Sequence, residues 1–324
     1  MLTCPTAHYA AVDSVHVMRD VVVSGSRDRG ISVWSIDQVL KEEEGGAPSS
    51  RNPDMHKGWV WSFCSEGDTL VSGSWDGTVG LWKVAPTGLT QARKPINLKV
   101  AVLCTDILGD RVAAGTYDKK VVLLDRREGP RKCTFYRVHS KPVLAVRITE
   151  RQVWSLSEDR TLAVYDRAAG RKLKKVELPG GDFPMAMASQ DNCLWVGDKG
   201  GRVHLIDTTN DSFEVVESLS LGHSGRLTSI QASRGSLVTA SSDGDIRVHR
   251  PHRAPGLVRL LRSPGCGEAA MVHYREESQV APTTPSSSNL PPPGPGSRIQ
   301  QQHREDLGSQ ALGCSSSSRH CGTV

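Results

Sequence analysis

Histidine, serine and aspartate recur together in this chain, the residue types from which hydrolases build an activated nucleophile. His56 precedes Asp76 by twenty positions with Ser72 and Ser74 between them, and His8 precedes Asp28 by the same interval with Ser24 and Ser26 between. His139/Asp159 and His223/Asp243 repeat the spacing. A catalytic triad needs one strained, exposed nucleophile beside an oxyanion hole, and it occurs once. A set copied four times is predicted instead to satisfy buried polar groups inside a repeated unit. No nucleophile stands apart from the copies, so no catalytic residue is expected and the protein is not expected to be an enzyme.

The elements that must position these residues follow from the same periodicity. Six positions after each aspartate comes Trp34, Trp82, Tyr165 or His249. Two degenerate units fill the gaps. One keeps Asp118 but has Leu98 in place of the histidine; the other has Gly180 and Gly200 at the histidine and aspartate positions. The closing residues Trp34, Trp82, Leu124, Tyr165, Ile206 and His249 lie 48, 42, 41, 41 and 43 positions apart. Apolar and alternating runs flank each aspartate, and Asp-Gly or Asp-Arg between them signals a tight turn. Four short antiparallel strands per unit of about forty residues predict an all-β propeller with six recognisable repeats.

These units resemble WD40 repeats. In that family a histidine, a serine, the turn aspartate and a tryptophan brace each blade. The resemblance implies that role for His56, Ser72 or Ser74, Asp76 and Trp82, and for His8, Ser24 or Ser26, Asp28 and Trp34. His139/Asp159 and His223/Asp243 supply partial sets. Seven units are usual in the family, so the expectation is either a six-blade ring or, preferred, a ring lacking a blade at one end. The wording of the first two repeats is similar to the F-box/WD-repeat ubiquitin-ligase receptors. That likeness implies substrate recognition in a cullin-RING (SCF-type) setting. A helical F-box precedes the propeller in those proteins, and nothing before His8 supplies one, so ligase subunits are expected as partners only if an F-box comes from elsewhere. Family geometry places the residue before each turn aspartate, and residues shortly after each histidine, on the partner face. Here these are Arg27, Trp75, Tyr117 and Glu158 with Trp59, Trp61, Lys141 and Arg226, and Trp75 is the leading anchor because a tight turn offers a tryptophan no core. Only Arg27 and Arg226 supply arginine there, which argues against a phosphopeptide ligand.

Charge and composition bound the alternatives. The formal charge is +5, and residues 119–175 hold sixteen lysines and arginines against six acidic residues. Such a stretch can attract nucleic acid, which gives a second reading as a nucleic-acid-associated subunit. Without interleaved aromatics it reads better as solvated outer strands, so nucleic acid is not an expected partner. A propeller hydrolase is the third and weakest reading. The eight cysteines form no Cys-x-x-Cys pair, and they are expected as thiols with no metal and no cofactor. Cys314 with His320 and Cys321 is a poor metal set. No apolar run approaches the ~20 residues of a membrane span, and the first residues do not read as a signal peptide. The expected setting is the cytoplasm, the nucleus or both. The propeller is assigned to residues 1–254, with a rim-loop insertion at 38–54. The Pro/Ser/Gln-rich segment 255–324, including Pro291–Pro295, is expected to be a disordered tail.

Overall fold

The alternating runs on either side of each turn form a hairpin, and each of the six hairpins gains one further strand on either side. The computed structural model describes residues 7–41, 47–85, 87–233, 236–252 and 273–276, all within the unit Met1–Val280. Each sheet has four antiparallel strands in sequence order. Blade 1 comprises Val12–Met18, Val21–Ser26, Ile31–Ser35 and Ser50–Asn52; blade 2 comprises Val60–Glu66, Thr69–Ser74, Thr78–Ala85 and Gly88–Asn97. Blade 3 follows with Val102–Leu108, Arg111–Thr116, Lys120–Asp125 and Gly129–Arg137, and blade 4 with Val143–Ile148, Gln152–Ser157, Thr161–Asp166 and Lys172–Glu177. Blade 5 is Pro184–Gln190, Cys193–Asp198, Arg202–Asp207 and Glu214–Ser220; blade 6 is Leu227–Ser233, Ser236–Ser241, Ile246–His252 and His273–Glu276.

Two segments depart from expectation. Within and beside the predicted insertion, Ile36–Lys41 is a short helix and Ser50–Asn52 is the outer strand of blade 1. Residues 273–276, read from sequence as tail, pair with the third strand of blade 6. An unpaired third-strand edge is what both segments satisfy. The remainder of the tail, with Pro291–Pro295 and the Cys314, His320 and Cys321 set, lies outside the described residues.

The core lies between blades. Third-strand residues of each blade pack on first-strand residues of the next: Ile31 and Val33 with Val60 and Phe63, then Val79 and Leu81 with Val102 and Ile107. The pattern continues as Val121 and Leu123 with Val143 and Val146, Leu162 and Val164 with Met187, and Val203 and Leu205 with Leu227 and Ile230. Cys64 and Cys104 are buried free thiols, and Cys133 and Cys193 are half-buried. Among the described residues no helix is long and apolar enough to cross a membrane.

Candidate functional site

The histidine–serine–aspartate sets are internal braces. Trp82 Nε1 donates to Ser72 Oγ at 2.7 Å, and the same oxygen lies 2.7 Å from His56 Nε2. His56 Nδ1 faces Thr78 Oγ1 at 2.9 Å and Asp76 Oδ2 at 3.3 Å. Of the two candidate serines, Ser72 joins the network, whereas Ser74 accepts the Asp76 amide at 3.2 Å and shapes the turn. Blade 1 repeats this with Ser24, which bonds Trp34 and His8, while His8 also reaches Asp28. In blade 4, His139 joins Asp159 and Ser155; in blade 6, His223 joins Asp243 and Thr239. Burial alone would raise Asp76, but hydrogen bonds from His56, Thr78 and the Lys57 amide outweigh it and hold the carboxyl well below the usual range. Blade 5 lacks both key residues and substitutes a different pair, His204 Nε2 with Asp198 Oδ2 at 3.2 Å. His56, His139, His223, Ser24, Ser72, Ser155 and Thr239 are buried, His8 and the turn aspartates are half-buried, and the members of each set bond one another.

What each blade presents outward is set by its turn. In blade 2 the turn runs Ser74, Trp75, Asp76, Gly77, closed by the Gly77 amide on the Ser74 carbonyl at 3.1 Å. Gly77 has φ +83°, a left-handed value that glycine adopts without a Cβ clash. Trp75 therefore occupies the tip, and its amide donates to the Trp59 carbonyl at 2.9 Å. The same bond pairs Arg27 with Ala11, Tyr117 with Ala101, Glu158 with Pro142, Lys199 with Phe183 and Ser242 with Arg226. A bulge recurs one or two residues on, in the first strand of every blade, where the register skips a residue. Bulges re-aim a side chain. In blade 2 the skipped residue is Trp61, between Val60 and Ser62.

Three positions per blade thus share one face; blade 2 fills all three with tryptophan, blade 3 adds Tyr117, and blade 1 adds Arg27 and Asp13. Trp59 and Trp61 stack at 6.2 Å between centroids. Trp75 lies 5.8 Å from Trp59 and 5.7 Å from Trp61, and Tyr117 lies 5.6 Å from Trp75. Trp59, Trp75 and Tyr117 are exposed. The Arg27 guanidinium sits 4.7 Å over the Trp59 ring. Its orientation comes from Asp13, which accepts from Arg27 Nε at 2.9 Å and pushes the guanidinium pKa up. Sequence reasoning missed Asp13, although it is the blade 1 bulge residue, the counterpart of Trp61. Glu158 in blade 4 and Arg226 in blade 6 occupy the equivalent turn and strand-entry positions, Lys141 lies one residue before the blade 4 entry residue Pro142, and none of the three is among these ring contacts. Chemically the cluster offers stacking and apolar contact around a cation already neutralised by a carboxylate. Among the described residues no group of His, Cys, Asp and Glu could hold a metal ion.

Comparison with known proteins bears on the family and the fold. The family described as WD domain, G-beta repeat matches residues 50–83, which run from the blade 1 outer strand through the third strand of blade 2. F-box/WD repeat-containing protein 9 of Homo sapiens is 39% identical over 260 residues, covering 79% of this chain and 56% of that protein. Ribosome biogenesis protein YTM1 of Eremothecium gossypii is 24% identical over 263 residues, covering 75% of this chain and 56% of that protein. The chain therefore spans a little over half the length of these relatives. The crystal structure of the WD40 beta propeller domain of Doa1 superposes with a TM-score of 0.62 at 19% identity, covering 74% of this chain and 79% of that one.

Proposed function

The chain belongs to the WD40-repeat proteins, and on that premise we propose that it is a non-enzymatic protein-interaction platform serving substrate recognition in an SCF-type ubiquitin ligase. The observation that carries the reading is the cluster of exposed Trp59, Trp75 and Tyr117 with half-buried Trp61 beside the Arg27–Asp13 pair. Four clustered aromatics with a fixed arginine match the composition of binding hot spots. Trp75 at the turn tip and Trp59 at the strand entry face solvent and contribute little to a core, which supports a role in contact. The human relative is named for an F-box as well as WD repeats, and this supports the ligase setting. Thiols such as Cys64 and Cys104 suit a reducing compartment, the cytoplasm or nucleus.

The test is affinity purification of wild type beside Trp75→Ala, with thermal melting to show that both are folded. Loss of a protein set from Trp75→Ala supports the face; recovery of the same partners by both proteins eliminates it. Ubiquitin-ligase subunits among the wild-type partners support the setting.

A nucleic-acid-associated role is the second reading, favoured by the likeness to YTM1 and the basic 119–175 stretch. Five of the sixteen basic residues are already engaged. Arg126, Arg127, Arg147 and Lys175 form ion pairs with aspartates, and Lys120 pairs with Asp118. Salt-sensitive RNA binding, abolished by reversing Arg171 and Lys172, would favour this role over the first.

A further inference from the structure

The contact face of blades 1 to 3 is one-sided in its hydrogen bonding. An indole N–H can only donate, and those of Trp59, Trp61 and Trp75 have no acceptor among the described residues. The Tyr117 hydroxyl and Arg27 Nη1 are likewise unbonded among them. The acceptors set beside the rings are, by contrast, in use. The carbonyls of Trp59, Ala101 and Ala11 take the amides of Trp75, Tyr117 and Arg27 at 2.9, 3.0 and 3.0 Å. Both Asp13 oxygens accept from Arg27, at 2.9 Å from Nε and 3.1 Å from Nη2. A fitting ligand therefore brings carbonyl acceptors and few N–H donors of its own. The rings add a constraint of shape. Trp75 is inclined 35° to Trp59, 44° to Trp61 and 60° to Tyr117, so the surface is ridged rather than flat.

We propose that this face binds a proline-rich segment of a partner protein in the polyproline II conformation, which rests on the reading of the Trp75 face as the contact surface. Proline carries a carbonyl and no N–H. Polyproline II has no internal hydrogen bonds, so every carbonyl of the segment is open to an indole or phenol donor. Such segments dock on aromatic side chains, and because the helix is preformed little ordering entropy opposes binding to a shallow surface. A methylated lysine is the rival ligand for clustered rings. Here that place is filled from within: the Arg27 guanidinium lies 4.7 Å from the Trp59 centroid and 5.8 Å from that of Trp61. An acidic or phosphorylated peptide would call on the same guanidinium, which Asp13 already neutralises.

The probe is a fluorescently labelled decaproline peptide, whose anisotropy should rise on titration with the full chain up to about 300 µM. Trp75→Ala should weaken binding by about 30-fold or more. Trp75→Phe, which keeps a ring and removes the N–H, should weaken it by about 3- to 10-fold. Both variants alter an exposed side chain and should melt with the wild type. A Gly-Ser decapeptide offers the same carbonyls on a flexible chain that has N–H groups, and it should not bind over this range. Equal binding of the Gly-Ser peptide overturns the proposal, as does decaproline binding that survives Trp75→Ala. Tighter binding of a trimethyllysine peptide than of decaproline also overturns it. If decaproline fails on the wild type while Trp75→Ala still loses its protein partners, the contact face stands and the polyproline assignment falls. If Trp75→Ala keeps those partners, the contact face falls and the assignment falls with it.

Discussion

The Trp82 indole N–H can only donate, so the Ser72 oxygen that receives it must use its own proton elsewhere. The remaining neighbour is His56 Nε2 at 2.7 Å, which leaves the imidazole proton on Nδ1, facing Asp76 and Thr78. One oxygen thus fixes a tautomer and satisfies two buried rings. Ser72→Ala strands both, and a loss of about 2–3 kcal/mol in urea denaturation is expected. Ser74→Ala, which removes one acceptor at the turn, should cost about 1 kcal/mol; equal costs for the two would contradict this division of roles. The sequence showed that a serine was needed and could not say which. Both stand on the same face at a two-residue interval, and only distance from the turn separates them. Asp13 was illegible for another reason: its partnership with Arg27 depends on a bulge, which the run around it does not announce.

Inner and middle strands were legible at the level of elements because burial on both faces writes long apolar runs. The outer strands were less so. Ser50–Asn52 contains no apolar residue and is held in place by backbone pairing with Ile31, Ser32 and Val33. The exchange of partners in blade 5 also escaped the repeat logic, since His204 braces Asp198 from the third strand rather than from the loop before the first. Third strands carry a further constraint that propensity hides. Gly80 interrupts the run of Thr78, Val79, Leu81 and Trp82, and alanine would ordinarily strengthen such a strand. A Cβ there would lie 2.5 Å from Ser72 Oγ and 2.6 Å from the Trp82 ring. Gly80→Ala should therefore destabilise by about 1–3 kcal/mol despite its better strand propensity. An unchanged denaturation midpoint would show that the blade 2 network yields without cost.

For the whole molecule, the repeated brace makes stability a function of pH with one dominant sign. Burial pushes the Asp28, Asp76 and Asp159 carboxyls up, yet hydrogen bonds from amides, hydroxyls and histidines prevail, and all three stay below the usual range. Stabilisation from a depressed carboxyl is complete above the unfolded value of about 4 and is lost as pH falls further. His139 and His16 are lowered by burial, with Asp159 only partly offsetting the effect at His139. Their unfolded forms take up protons first, so stability starts to fall below about 6.5. Asp106 works the other way: burial raises it against the pull of Arg147, so it retains a proton more readily in the folded state. One opposing carboxyl does not balance five groups of the other sign. The melting temperature should be level from pH 8 to 7, decline gently from about 6.5, and drop steeply below about 4. The steep limb should shrink in Asp76→Asn, whose side chain no longer titrates, even though that variant starts from a lower melting temperature at pH 7. A melting temperature that holds constant from pH 7 down to 4, or a steep limb of the same depth in Asp76→Asn, would separate the acid response from the braces.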